Sequence, residues 1–237
     1  MQTVVITILV VLVLVFYWGS ISYKKLSVSK ELVSEAVPFS HITDNRSKTL
    51  LVLGDSTAVG VGVTEKADSI PAKVAAHIHA THVENYAVSG ARIKDIESQL
   101  AYATQSKYDV ILLQAGANDI MRFSSTEEIS PYLEVLLKDL SEKGETVIFI
   151  SAGNVGGAPI IPPPLRSLYT KVNLKYHELF KKMSDLYGVR YINLYQSADE
   201  DPFIQQPEVY FAADSFHPSS AGYEVWFKML VSELKEK

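Results

Sequence analysis

The sequence predicts an α/β fold, a parallel β-sheet with helices packed on both faces. Five short apolar runs, at residues 49–54, 83–88, 109–115, 146–151 and 189–194, read as strands, several of them apolar on both faces. Between them, residues 69–80, 92–104, 126–142 and 164–187 place apolar side chains at three- and four-residue steps, and a last helix is expected at about 219–235. Strand and helix alternate throughout, which is the pattern of parallel strands joined by crossover helices. A chain of 237 residues suits one such domain and is short for two.

The N-terminus is read separately. Val4 to Ile21 carries no charge, and the first charged side chain is Lys24. About twenty helical residues cross a hydrocarbon layer of roughly 30 Å, and Tyr17 and Trp18 stand where an interfacial aromatic belt would lie. No Lys or Arg precedes the run, and Ser20-x-Ser22 is a weak cleavage site, so an uncleaved transmembrane anchor is expected at 1–23 rather than a removed signal peptide. Residues 24–47 are polar and mixed without a sustained period and read as a stalk, leaving 48–237 as the domain. Lys24, Lys25 and Lys30 follow the run and point the domain to the cytoplasm. The absence of cysteine fits either side, so the side of the membrane stays open.

Composition excludes some functions. A net charge of −5 with no basic block argues against nucleic acid. Without cysteine there is neither a thiol nucleophile nor a thiolate metal site. His77, His79 and His82 in HIHATH suggest a metal site, but no carboxylate lies at a useful spacing, and a solvated helix end accounts for all three. His41 and His177 read as surface residues, and no metal or cofactor is expected.

In a parallel sheet, ligands bind beyond the carboxyl ends of the strands, which directs attention to the loops there. The first, in LLVLGDSTAVGVG, fails both phosphate-binding patterns. A P-loop needs a lysine after its last glycine, and here Val61 follows Gly60; a dinucleotide loop needs a third glycine where Glu65 stands. Ser56, just past a strand and before a helix, is instead a candidate nucleophile. His217 lies in a polar turn with Asp214 three residues earlier, a spacing that lets the carboxylate accept the imidazole Nδ1 proton and leaves Nε2 free as a base. Candidate oxyanion donors are the backbone amides of Ser56 and Gly90 and the side chain of Asn118, all in loops at the same sheet edge. Asp55 and Asp119 are expected to brace these loops. Arg92 is a candidate substrate contact, and GNVGGAPIIPPP at 153–164 is expected to cover the cleft, with Ile160 and Ile161 in an acyl pocket.

GDS at 54–56, the glycine of AVSGA at 90, GAND at 116–119 and DSFHP at 214–218 resemble, in order and spacing, the four signature blocks of the SGNH or GDSL hydrolase superfamily. The resemblance spans about residues 48–236. It implies a flavodoxin-like three-layer α/β/α sandwich with five parallel strands. It also implies ester hydrolysis, with Ser56 as nucleophile, His217 as base, Asp214 orienting it, and Ser56, Gly90 and Asn118 as the oxyanion hole. The G-x-S-x-G elbow of α/β-hydrolases is absent, since residue 58 is Ala. The expected protein is a membrane-anchored serine esterase forming an acyl-enzyme on a small acyl ester, a lysophospholipid or an O-acetyl group. The rivals are an acyltransferase with the same triad and a non-catalytic binding domain on a membrane tether.

Overall fold

Thr49–Gly54 forms β1, six residues all buried, because its branched and aliphatic side chains meet apolar layers on both faces. The computed structural model describes residues 19, 20 and 23–235. The remaining strands are β2 (His82–Asn85), β3 (Tyr108–Gln114), β4 (Gly144–Ile150) and β5 (Arg190–Ile192), all parallel and ordered β2-β1-β3-β4-β5. This is the flavodoxin-like order, with its switch point between β1 and β3.

The helices in chain order are α1 (Ser56–Val59), α2 (Ile70–His77), α3 (Ile96–Leu100), α4 (Ala117–Met121), α5 (Thr126–Lys143), α6 (Pro163–Leu186), α7 (Pro202–Gln205), α8 (Pro207–Tyr210) and α9 (Ser220–Lys235). The two-residue period of the strands splits the core into two layers. Leu51, Leu53, Ile111, Leu113 and Phe149 face Leu133 and Leu137 of α5 and Tyr176 and Phe180 of α6. Leu50, Val52, Leu112 and Ile150 face Val74 of α2 and Tyr223, Trp226 and Leu230 of α9. At about 1.5–3 kcal/mol for each fully buried large apolar side chain, these layers supply the main drive for folding.

Three boundaries differ from expectation. β2 ends at Asn85 rather than 88, the helix expected over 92–104 contracts to a 3₁₀ turn followed by α3, and residues 195–213, which have no regular period, carry α7 and α8. In the first two, short hydrogen-bonded turns replace part of a longer expected element; in the third, they form where no element was expected.

The segment expected as a stalk is structured: residues 23–35 are helical, and Leu32, Val33, Ala36 and Phe39 pack against the second core layer. Beyond the helix, His41 pairs antiparallel with Val83 along the exposed edge of β2. Near its start, Lys25 Nζ donates to Pro159 O at 2.9 Å. Its mixed composition hid these contacts because they are tertiary rather than periodic. The expected membrane anchor at 1–23 lies outside the described residues, apart from 19, 20 and 23. Among the described residues no helix is long and apolar enough to cross a membrane.

Candidate active site

At the end of β1 the chain must leave the sheet while pressed against β3. Gly54 has φ +146°, and a Cβ there would lie 2.0 Å from the Gln114 carbonyl oxygen. The buried Gln99 side chain fixes this residue, accepting from its N–H at 2.8 Å and donating to its C=O at 2.9 Å. Asp55 caps α1, accepting from Thr57 N at 2.9 Å and Thr57 Oγ1 at 2.8 Å. Burial pushes the Asp55 carboxyl up, and the Thr57 bonds and nearby His217 pull it back. Asp55 therefore braces the loop, as expected, and presents Ser56 at the helix start.

Ser56 Oγ lies 2.9 Å from His217 Nε2, and His217 Nδ1 lies 2.5 Å from Asp214 Oδ2. The other oxygen of Asp214 accepts from the amides of Phe216 and His217, each at 3.0 Å. These four contacts fix the imidazole, with Nδ1 as donor and Nε2 turned to the serine. Burial acts to raise the Asp214 carboxyl, but the bond from His217, its charge and the two amides outweigh this and hold it below the usual range. Ser215, at φ +62°, makes the sharp turn that brings the acid and the base together. Gly62 receives this turn: a Cβ there would lie 2.3 Å from Pro218 O, so the loop after Ser56 and the turn carrying His217 meet backbone to backbone.

The oxyanion candidates lie on loops joined to the end of β1, where Val88 N donates to Gly54 O at 3.1 Å. Ser56 opens a helix, so its N–H has no intrahelical acceptor, and among the described residues neither this amide nor that of Gly90 is donated to a protein group. Asn118 Nδ2 donates one N–H to Ala91 O at 3.1 Å, which ties it to the Gly90 loop and leaves its second N–H available. Asp119 ties the same loops by accepting from Ile93 N at 3.0 Å. Burial lifts its carboxyl to about 6, against the pull of Ile93 N–H and Arg92.

Beside Ser56 and His217 opens a cleft with about 630 Å³ of empty space, part of it open to solvent. Its aromatic walls are Phe203, Phe211, Phe216 and Trp226. The 153–164 segment contributes Val155 and Ala158 and so lines the cleft, but Ile160 and Ile161 do not. Ile161 is 3% exposed and belongs to the core layer under α6, and Ile160 packs half-buried against that layer. Pro162 and Pro163 start α6 there and draw both isoleucines beneath the helix rather than into the cleft. Arg92 is also absent from the lining: its Nε stands 3.9 Å from Asp95 Oδ2. The aromatic wall has no periodic signal in the sequence because Phe203 and Phe211 lie in the aperiodic stretch; the aromatic density of 203–211 is the available signal.

Two histidines correct the sequence reading. His82 is buried in β2 with Nε2 3.0 Å from Glu84 Oε1, whereas His77 and His79 are exposed. Burial raises Glu84, but bonds from Thr104, Tyr108 and His82 outweigh it and hold the carboxyl at about 2. His177, expected at the surface, is buried beneath the cleft segment. Its Nδ1 contacts Ser151 Oγ at 3.1 Å and the Tyr191 hydroxyl, Asn173 Nδ2 donates to its Nε2 at 2.6 Å, and Asn173 Oδ1 accepts from Val155 N at 2.9 Å. The charged residues around it in the sequence occupy the outer face of α6, which masked the inner one.

Burial holds the His177 imidazole down at about 4, below its ordinary 6.5. The unfolded chain therefore binds this proton first, and stability falls as pH drops from 6.5 towards 4. The expected loss between pH 7 and 4.5 is about 2 kcal/mol. Denaturant midpoints should show this loss in the native protein and a smaller one in His177→Gln. Asp119, whose carboxyl is raised, acts with the opposite sign in both proteins and cancels in the comparison.

A serine hydroxyl, an imidazole and a carboxylate in one hydrogen-bonded line, beside an apolar cleft on a flavodoxin-like sheet, form the arrangement of a serine hydrolase. The chain belongs to the GDSL-like lipase/acylhydrolase family, whose sequence profile matches residues 52–225. It is 25% identical over 195 residues to a GDSL-like esterase of Mycobacterium tuberculosis, a match covering 79% of this chain and 62% of that relative's length. Among solved structures it is similar to a protein from Lactobacillus plantarum, with a TM-score of 0.57, 24% identity and coverage of 80% of this chain and 97% of the other. It is similar also to the acetylxylan esterase Axe2 of Geobacillus stearothermophilus, with a TM-score of 0.57, 18% identity and coverage of 79% and 94%. At these identities the two structures show the shared fold.

Proposed function

We propose that the protein hydrolyses a carboxylic ester through an acyl-enzyme on Ser56. The observation that carries this reading is the unbroken line Ser56 Oγ–His217 Nε2 at 2.9 Å and His217 Nδ1–Asp214 Oδ2 at 2.5 Å. Ser56 Oγ attacks the ester carbonyl as His217 Nε2 takes its proton, and Asp214 stabilises the imidazolium. Charge developing on the carbonyl oxygen is met by the Ser56 and Gly90 amides and the free N–H of Asn118, which need no change of protonation. Collapse breaks the ester C–O bond while His217 returns its proton to the departing alcohol. Water, deprotonated by the same imidazole, then attacks the acyl-enzyme and releases the acid and Ser56. The apolar cleft supports an ester with at least one elongated apolar arm. The fold shared with an acetylxylan esterase supports an ester as the substrate type.

Treatment of the full chain with a fluorophosphonate should label Ser56 stoichiometrically, as read by mass spectrometry of the tryptic peptide, and abolish p-nitrophenyl ester hydrolysis in proportion. Hydrolysis that survives complete labelling would refute the assignment. The protein is further proposed to be held at a membrane by the uncharged run from Val4 to Ile21, with Lys24 and Lys25 at the polar boundary. The full chain should then stay with vesicles through a carbonate wash. Quantitative release into the wash would remove the anchor from the proposal and leave the chemistry untouched.

A further inference from the structure

The cleft is apolar along most of its wall, yet one carboxylate faces it. Asp201, 5% exposed, lines the cleft together with the polar side chains of Asn154 and Gln196. Its Oδ1 is committed to capping α7, accepting from Phe203 N at 2.9 Å. Its Oδ2 has no hydrogen-bond or ion-pair partner among the described residues. It is not among the fully enclosed polar atoms, so it keeps some surface, and its residue lines the cleft. A buried carboxylate oxygen without a partner is costly, and burial indeed pushes this carboxyl up against the pull of its Phe203 bond. Gln196 also makes no hydrogen bond among the described residues, and Asn154 uses its Oδ1 for Thr170 while its amide nitrogen stays free.

The positions of these groups in the fold matter as much as their chemistry. Ser56 follows β1, while Gln196 and Asp201 follow β5, three places away in the sheet order. Adjacent strands are about 4.8 Å apart, so the ends of β1 and β5 from which these loops leave lie roughly 14 Å apart. The walls between them come from Ala117 after β3 and from Ala152, Val155 and Ala158 after β4, and all of these are apolar. A ligand reaching from the nucleophile to the far end thus crosses an apolar stretch and then meets an acceptor that the protein leaves unpaired.

We propose that Asp201, assisted by Asn154 and Gln196, is a specificity subsite for a hydrogen-bond donor at the far end of the substrate arm that fills the cleft. The subsite rests on the esterase reading above. It selects chains that are apolar next to the ester and end in a hydroxyl or an ammonium, the two donor types that match an acceptor-only carboxylate. A purely alkyl chain would desolvate Asp201 Oδ2 and leave it unpaired, whereas a donor at that point restores the lost bond. Asp201 touches the substrate's distal end and takes no part in bond breaking.

The test compares full-length native protein with Asp201→Ser. Serine keeps a side-chain oxygen for capping Phe203 N and removes the oxygen that faces the cleft. The first substrate series is the p-nitrophenyl esters of octanoic, 8-hydroxyoctanoic and 8-aminooctanoic acids, which carry the donor on the acyl arm. The second is the monoacetates of 1-octanol, 1,8-octanediol and 8-amino-1-octanol, which carry it on the alcohol arm. In one of the two series the native protein should favour a donor-bearing ester in kcat/KM by about tenfold or more, as expected for a hydrogen bond to a charged acceptor. Asp201→Ser should lose that preference, the donor-bearing and plain esters of the series becoming equal in kcat/KM. Which donor gains, hydroxyl or ammonium, identifies the substrate's terminal group. Equal rates with and without the donor in both series would overturn the subsite and leave the esterase reading intact, as would a preference that persists in Asp201→Ser. Failure to hydrolyse any of the six esters would overturn both.

Discussion

Asp214→Asn is expected to lower kcat/KM by about 10⁴ while leaving the fold in place. The native carboxylate uses Oδ1 to accept from the amides of Phe216 and His217, and Oδ2 to accept from His217 Nδ1. An asparagine can keep the two amide bonds only by placing its oxygen there, and this turns its NH₂ group to the imidazole. His217 Nδ1 must then accept rather than donate, so the ring proton moves to Nε2. That nitrogen faces Ser56 Oγ at 2.9 Å, and in this tautomer it cannot take the serine proton. The steric change is small, so the thermal midpoint should move little and the loss should fall on kcat. Because the three residues act as a unit, the double variant Ser56→Ala/Asp214→Asn should be no slower than Ser56→Ala alone. A single Asp214→Asn variant retaining more than about a tenth of the native rate would refute the role assigned to the carboxylate.

Gly54→Ala should produce the largest loss of stability of any single-methyl addition near the site. Its new Cβ would lie 2.0 Å from Gln114 O and 2.8 Å from Gln114 C, both main-chain atoms of the central strand β3, and 3.1 Å from Ala58 Cβ. None of these can rotate away. Separating β1 from β3 would break the junction that presents Ser56, so a cost of about 4 kcal/mol or more is expected. Gly188→Ala is the control: Gly188 is also left-handed, at φ +66°, but nothing lies within 4 Å of a Cβ built there. Its cost should be only that of a left-handed alanine, about 1–2 kcal/mol. Denaturant midpoints of the two variants separate the steric part from the conformational part. Equal losses would show that the approach to β3 is not what fixes Gly54.

The sequence exposed some parts of this molecule more readily than others. The strands β1, β3 and β4 are buried on both faces, and a continuous apolar run signals them whatever surrounds them. The hydrogen-bonded line of the candidate site was legible because such chemistry constrains residue type: a hydroxyl after β1 and a carboxylate three residues before a histidine. The cleft wall was not legible in the same way. Packing against an open cleft asks only for apolar bulk, which Ile160 and Ile161 satisfy as well as Phe203 and Trp226, and the choice depends on where Pro162 and Pro163 start α6. His177 shows the converse limit. A polar residue buried by partners 14 and 26 positions away, Tyr191 and Ser151, leaves no local period to read. The helix at 23–35 carries no local signal for the same reason, since its anchoring contacts are to the second core layer and to Pro159, far along the chain.

That helix also governs how the domain can be aimed. Lys25 Nζ holds Pro159 O at 2.9 Å, and the next residue, Ile160, donates its N–H to Ser215 O at 3.2 Å, within the turn between Asp214 and His217. Burial and Arg166 lower the Lys25 ammonium, while Asp214 raises it, so the helix lies within the electrostatic reach of the catalytic acid. The chain therefore arrives at the domain beside the catalytic turn, along a rigid rod of about 20 Å rather than through a loose cord. The helix is thereby linked through Pro159 and Ile160 to the turn that carries His217, so a change at Lys25 reaches that turn through two hydrogen bonds.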